Sequence, residues 1–266
     1  VYLPAIVTHP FIYIAALRRS GSTILSELLT DPPTSFIFRE PNLGRRRFDA
    51  KPDDVELLRS LGIDLPAFIT RWSGWRKRWM IRGFNKELMP QLAARFQQVG
   101  VKEIFNEHWR TYHRQFPNMK IIVLARDPRD LYLSIRERRR KGVNAAHGDV
   151  TPEEVSDHLN KQFALQRQML ETCDCLPITY ETLCADPTAF DKVKAFVQSP
   201  LAAAGRAGRF NENNPVRQGE AAIHSGAITT NRVARWQKEQ DPTGVAEAHQ
   251  AMALMPDYNK FWGYSP

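Results

Sequence analysis

The sequence predicts an α/β fold in which a central, mostly parallel sheet is flanked by helices. Two observations lead to it. Short apolar runs alternate along the chain with stretches of helical periodicity, the pattern of right-handed βαβ units. The run Ile121-Ile-Val-Leu-Ala125 is apolar at every position and rich in β-branched residues, as a strand buried on both faces must be.

The elements follow in chain order. Phe11 to Leu17 reads as a strand, Ser20 to Thr23 as a tight turn, and Ile24, Leu25, Leu28 and Leu29 as the apolar stripe of a helix. A second short strand, Phe36 to Phe38, is stopped at Arg39-Glu40-Pro41 by the proline, and Arg45, Arg46, Arg47 and Lys51 make the next stretch basic. Residues 53–62 read as a helix. Residues 67–80 read as another, with Trp72, Trp75 and Trp79 as its buried face or, alternatively, as a stacking wall for a substrate. After the strand at 121–125, Asp127 caps a helix with Pro128 at its first position and Asp130 in its first turn, and the basic run 136–141 closes it. Thr151-Pro-Glu-Glu154 is a capping box opening a long helix that turns Val155, Leu159, Phe163, Met169 and Leu170 inward. Residues 176–180 form a further strand, and 199–229 read as a long surface loop. No repeat and no domain boundary is visible, so residues 1–266 are expected to form one domain.

Composition bounds the function. At 266 residues, 42% apolar and 25% charged, the chain is an ordinary globular protein, which excludes wholesale disorder and fibrous repeats. Lys and Arg total 37 against 29 Asp and Glu, a net +8 that favours an anionic ligand. The three cysteines, Cys173, Cys175 and Cys184, build no disulfide framework and have no zinc spacing around them; they read as part-buried thiols in a reducing cytoplasm, and no metal site is expected. The longest apolar stretch, residues 11–17, is far short of the roughly 20 needed to span a bilayer. Val1 opens no secretory leader, and the missing initiator methionine points to a trimmed or partial chain.

In a parallel sheet, ligands bind at the carboxyl ends of the strands. Two such ends carry chemistry. In Arg18-Arg-Ser-Gly-Ser-Thr23 the glycine permits a sharp turn, and successive amides with small hydroxyl side chains can ring an anion. No Gly-x-x-x-x-Gly-Lys occurs anywhere, so this is not the nucleoside-triphosphate loop of that pattern. At the second end Arg126 leaves the strand, and Ser134 lies two turns into the next helix on the face of Asp130; an arginine fork with a serine hydroxyl suits a phosphate, though Arg126 is as well placed to pair with Asp127 or Asp130.

Together, Arg19-Ser-Gly-Ser-Thr23 after a strand and Arg126-Asp-Pro-Arg-Asp130 with Ser134 resemble the sulfotransferase family. The resemblance implies a P-loop-like three-layer fold and the co-substrate 3′-phosphoadenosine 5′-phosphosulfate (PAPS), which leaves adenosine 3′,5′-bisphosphate (PAP). It assigns Arg18, Arg19, Ser20, Gly21, Ser22 and Thr23 to the 5′-phosphosulfate, and Arg126 and Ser134 to the 3′-phosphate. Ile178-Thr-Tyr-Glu-Thr-Leu183 with Asp186-Pro187 resembles a further family motif and adds Tyr180; Asn231-Arg-Val-Ala-Arg-Trp236 resembles the segment that closes over the nucleotide and adds Arg232. Glu40, about 20 residues past the loop, resembles the carbohydrate and tyrosyl-protein branches, and Gly83-Phe-Asn-Lys-Glu87 resembles a Gly-Phe-Lys-Glu strand of bacterial members, with an extra Asn85.

The implied reaction is transfer of a sulfuryl group to an acceptor hydroxyl or amine, the acceptor being a carbohydrate or small metabolite. Glu40 is the expected base, Arg19 and Lys86 the expected cationic groups, with Glu87 and His108 as alternative bases; His108 and His113 also read as surface or packing histidines on a helix. No magnesium is expected. The alternative is a P-loop small-molecule kinase, which lacks its lysine here. A nucleic-acid-binding protein using the Trp and Arg segment at 71–79 is disfavoured, because the basic residues are dispersed.

Overall fold

The structure is a computed structural model, and it describes residues 9–141, 149–202 and 232–265. Five strands form the sheet: β1 (Ile12–Ala16), β2 (Ser35–Arg39), β3 (Gln98–Glu103), β4 (Lys120–Ala125) and β5 (Cys175–Thr179). Their order is β2-β3-β1-β4-β5, and every pairing is parallel. β1 is therefore central: the chain fills the β3 and β2 side of it first and the β4 and β5 side afterwards, which puts a topological switch point, where ligands bind, between β1 and β4.

Side-chain alternation assigns the two faces. Tyr13, Ala15, Phe36, Phe38, Val99, Val101, Ile121 and Val123 pack on one face against Phe84, Leu88, Leu92, Tyr112 and Met169. Ile12, Ile14, Ile37, Ile122, Leu124 and Ile178 pack on the other against Leu25, Leu29, Leu183 and Val193. Each fully buried Leu or Ile is worth about 1.5–3 kcal/mol over leaving it exposed, which is what holds the three layers together. A third cluster joins Leu17, Ala125, Leu131, Leu159 and Phe163 to Ala248, Ala251 and Tyr258 of the C-terminal helices Pro242–Ala253 and Pro256–Trp262.

The expected caps are present. Asp127 accepts from the Arg129 amide at 2.8 Å at the head of helix Pro128–Arg140, and the Thr151 hydroxyl accepts from the Glu154 amide at 3.2 Å at the head of helix Pro152–Thr172. The loop expected at 199–229 lies almost wholly outside the described residues.

Two expectations are corrected. Residues 67–80 are not one helix: helix Leu65–Arg71 stops, Gly74 takes the left-handed φ of 59°, and a 3-10 turn, Gly74–Trp79, buries none of its residues. Trp72 alone turns inward, its ring pressed on Gly83, where an added Cβ would lie 2.3 Å from the indole. Gly83–Glu87 is not a strand either. It lies within a helical run from Met80 to Ala93 whose middle, Phe84–Leu88, is a π-turn that takes up the extra Asn85, the amide of which bonds the Gln115 carbonyl at 3.0 Å. The strand itself is β3, thirteen residues after Asn85.

Candidate active site

The loop after β1 is held in an unusual backbone shape. Arg19 has φ 68° and Gly21 φ 87°, flanking Ser20, whose amide and hydroxyl both donate to the Leu17 carbonyl, at 3.3 and 2.7 Å. A left-handed non-glycine residue is costly, so something must hold Arg19 there. Its Nε donates to the Ser134 hydroxyl at 3.0 Å, and its carbonyl accepts from Arg126 Nη1 at 3.2 Å. Gly21 is favoured twice over: its left-handed φ strains any other residue, and a Cβ would stand 2.3 Å from the Tyr180 ring. The helix Ser22–Leu28 that follows has no side-chain cap, and Ser22 and Thr23 lie in its first turn.

Arg126 is the hub of the second strand end. Its amide donates to the Tyr258 hydroxyl at 3.0 Å while that hydroxyl donates to the Arg126 carbonyl at 2.9 Å. Its guanidinium lies 4.5 Å from the Tyr180 ring centre, bonds Asp130 at 3.1 Å and the Arg232 carbonyl, and keeps a buried Nε with no protein partner. Burial pushes the Asp130 carboxyl up, partly offset by Arg126 and by the Trp236 amide, which donates to its other oxygen at 3.1 Å. Asp127 pairs with Arg129 instead, at 2.8 Å. Five expected residues, Arg19, Arg126, Ser134, Tyr180 and Arg232, are thus brought together from four separate parts of the chain. Arg18 stands beside them, half-buried; burial lowers its pKa, Glu40 opposes that, and Arg138 and Arg139 add to it.

Glu40 lies just past β2, with φ 54°. Its amide donates to the Lys102 carbonyl at 2.7 Å, and Lys102 Nζ donates back to its Oε1. Lys102 is paired in register with Arg39 of β2 and Ile14 of β1, so the strand that leads to Glu40 stands two strand spacings, about 10 Å, from the strand that leads into the loop at 18–23. Burial alone would raise the Glu40 carboxyl; Lys102, with help from Lys51 and Arg18, outweighs it and holds the group below the ordinary carboxylate value. Burial likewise lowers Lys102, opposed by Glu40. Glu40 does not pair with Arg39 or Arg45: Arg39 binds Glu27, Asp53 and Asp54 at 3.1, 2.6 and 2.8 Å, and Arg45 lies over Phe105.

Lys86 does not stand on a strand. It is exposed on the π-turn, and its neighbour Glu87 pairs with Arg71 at 3.1 Å. The strand lysine is Lys102, in Gly100-Val-Lys-Glu103, a closer fit to Gly-Phe-Lys-Glu than Gly83-Phe-Asn-Lys-Glu87 and the signal that sequence reasoning passed over. Beside it Glu103 is buried against the Tyr112 hydroxyl, which donates to it at 2.8 Å, and burial pushes its carboxyl up to about 8. His108 is exposed and leads into helix Trp109–Gln115, with Gly44 pressed against it. The three cysteines are unpaired and half-buried. Among the described residues no group of three His, Cys, Asp or Glu side chains is arranged to hold a metal ion, and no helix is long and apolar enough to cross a membrane.

Comparison with known proteins gives the same frame. A sulfotransferase domain from the curacin biosynthetic pathway matches with TM-score 0.67 and 15% identity over 100% of this chain and 99% of its own. A mouse sulfotransferase complexed with PAP matches with TM-score 0.55 and 12% identity over 96% and 89%, and a sulfotransferase from Mycobacterium avium with TM-score 0.53 and 14% identity over 96% and 77%. At these identities the likeness is one of fold: a parallel, P-loop-like sheet between helices. No curated protein matches in sequence. A sequence model of the sulfotransferase family, however, matches residues 10–192, the stretch that carries β1 with its loop, Glu40, β3, the Arg126 hub and Tyr180, and on that match the chain belongs to the sulfotransferase family.

Proposed function

We propose that the chain moves the sulfuryl group of PAPS to the hydroxyl or amine of a carbohydrate or other small metabolite, that residues 1–266 act as one domain, and that it works in the reducing cytoplasm. The observation that carries this reading is the junction of the two anion-binding ends: Arg19 bonds Ser134 at 3.0 Å, and Arg126 bonds the Arg19 carbonyl at 3.2 Å across 107 residues of sequence. The residues fit a doubly phosphorylated nucleotide. Arg126 keeps a buried, unpartnered Nε, and Asp130, the carboxylate it pairs with, is already engaged on both oxygens.

Bound PAPS supplies an activated sulfuryl group whose leaving phosphate takes up negative charge. Arg18, Arg19 and the amides and hydroxyls of Ser20 to Thr23 supply positive potential at that end of the site, each fixed donor worth about 3–4 kcal/mol by analogy with oxyanion sites. Arg126, Ser134, Tyr180 and Arg232 hold the 3′-phosphate end. Glu40 takes the acceptor proton, which it can do because Lys102 keeps it ionised. Lys102 fixes Glu40 and takes over the cationic role expected of Lys86, to stabilise charge growing on the sulfuryl oxygens.

Thermal shift with PAP and with ATP, followed by transfer from labelled PAPS to a panel of hydroxylated acceptors, tests the assignment. PAP should stabilise and ATP much less, since a ligand selective for the folded state shifts the melting point by mass action. Arg126→Ala should weaken PAP binding by about 2–5 kcal/mol. Glu40→Gln should lower kcat by about 10²- to 10⁴-fold at unchanged PAP affinity. Equal shifts from ATP and PAP, or a fully active Glu40→Gln, would overturn it.

A further inference from the structure

The tryptophan and arginine segment that the active site does not use has its own surface. In the 3-10 turn Gly74–Trp79, Trp75 is 68% exposed and Trp79 39%, though indole is among the most costly side chains to leave in water. Their rings meet edge to face, 5.6 Å between centres. Arg78 lies 3.9 Å from the centre of the Trp79 ring, and Arg76 and Arg78 lie 5.5 and 5.9 Å from that of Trp75. Between Asp64 and Glu87 the chain has no acid and six cations: Arg71, Arg76, Lys77, Arg78, Arg82 and Lys86. Arg71 is spent on Glu87; the other five have no carboxylate at ion-pair distance among the described residues.

The turn is also firmly rooted. The Trp72 ring at its base is wedged on Gly83 and packs near Phe68, 6.4 Å between centres, so the two exposed indoles project from a fixed footing. A rigid, cationic, aromatic projection with no charge of opposite sign needs an anionic partner with an apolar interior.

We propose that the turn Gly74–Trp79 docks the protein on an anionic lipid bilayer, with Trp75 and Trp79 seated in the headgroup layer and Arg76, Lys77 and Arg78 on the lipid phosphates and carboxylates. Indole is the side chain most at home in that layer, and juxtamembrane cations are drawn to anionic leaflets. A single-stranded nucleic acid fits less well. Base stacking needs an open ring face, whereas Arg78 already covers Trp79, and the edge-to-face pair offers no parallel platform for successive bases.

Flotation of the full chain with phosphatidylcholine vesicles, with and without phosphatidylserine, tests the proposal. Binding should require phosphatidylserine and fall with added salt. Arg76→Gln, Lys77→Gln and Arg78→Gln together should weaken it by about a hundredfold, at about fivefold per cation. Trp75→Ser with Trp79→Ser should abolish binding at constant charge; since these side chains are exposed, the melting temperature should not move, and it is recorded for each variant. Equal binding to both vesicles, variants that bind like the parent, or tighter binding of an oligothymidylate that the same substitutions abolish would each overturn it.

Discussion

Replacing Lys102 by methionine separates the two roles given to that lysine, because methionine keeps most of the chain length and removes the charge. In the native protein burial would raise the Glu40 carboxyl, and Lys102 reverses this, with Lys51 and Arg18 assisting, to leave it below its ordinary 4.5. A hydrogen bond to a charged partner is worth about 1.5–3 kcal/mol, and losing Lys102 removes the largest cause that holds Glu40 down and leaves burial to raise it, so its pKa should rise. The acid limb of kcat/KM, measured with labelled PAPS, should move to higher pH. Stability carries the same sign. With its pKa depressed, Glu40 contributes stability above its unfolded pKa, and this is lost as pH falls through the folded value. In Lys102→Met the largest cause of that depression is gone, so the variant gains less stability than the parent as pH rises through the carboxylate range. The melting temperature of the variant, relative to the parent, should therefore drop as pH rises through the carboxylate range. An acid limb that stays in place, with a melting difference that does not vary with pH, would refute the idea that Lys102 sets the ionisation of Glu40.

Three other outcomes follow from the geometry. Glu103, pushed up to about 8 by burial, is protonated in the fold and ionised in the unfolded chain between about pH 4.5 and 8, so stability falls with pH across that window; Glu103→Gln, which keeps an acceptor for Tyr112, should flatten the fall, as melting curves from pH 5 to pH 8 would show. Gly21→Ala meets both a left-handed φ and the Tyr180 ring, and should cost about 2–5 kcal/mol, or about 5–15 °C in Tm. Adding Tyr180→Leu should restore the steric part but not the backbone part. Transfer should persist in excess EDTA, since the loop donors, Arg19 and Lys102 supply the positive field at the reacting phosphate; activity that EDTA abolishes and magnesium restores would point to the kinase chemistry.

Sequence reading succeeded where one face of the chemistry dominates. β1, β2, β4 and β5 are apolar runs, and the helix heads at Asp127 and Thr151 carry their own caps. Arg19, Arg126, Ser134 and Tyr180 sit in contiguous motifs at strand ends, so the group that the fold brings together was legible. β3 was not, because Gln98, Lys102 and Glu103 look like surface residues. Each is buried because a distant partner satisfies it: Gln98 bonds the carbonyls of Pro10 and Val197 at 3.1 and 2.7 Å, Lys102 bonds Glu40, and Glu103 accepts from Tyr112. A periodicity argument sees the polar side chain and not its partner. Both the π-turn and β3 carry a Lys-Glu pair, and it is Lys102 of β3 that meets Glu40. The Tyr258 clamp on Arg126 was equally hidden, since 132 residues separate its two ends.

Asp130 has a consequence for anyone rebuilding this protein. Its two oxygens are divided between the Arg126 side chain and the Trp236 backbone amide, so the Arg126 hub and the segment 232–238 share one fixed anchor. They behave as a single cassette. A graft that imports the segment from a relative without the matching acid, or that mutates the acid to retune the pocket, leaves one donor stranded on each side of the seam. Changes to nucleotide preference and changes to the 232–238 segment should therefore be designed, and transplanted, as one unit.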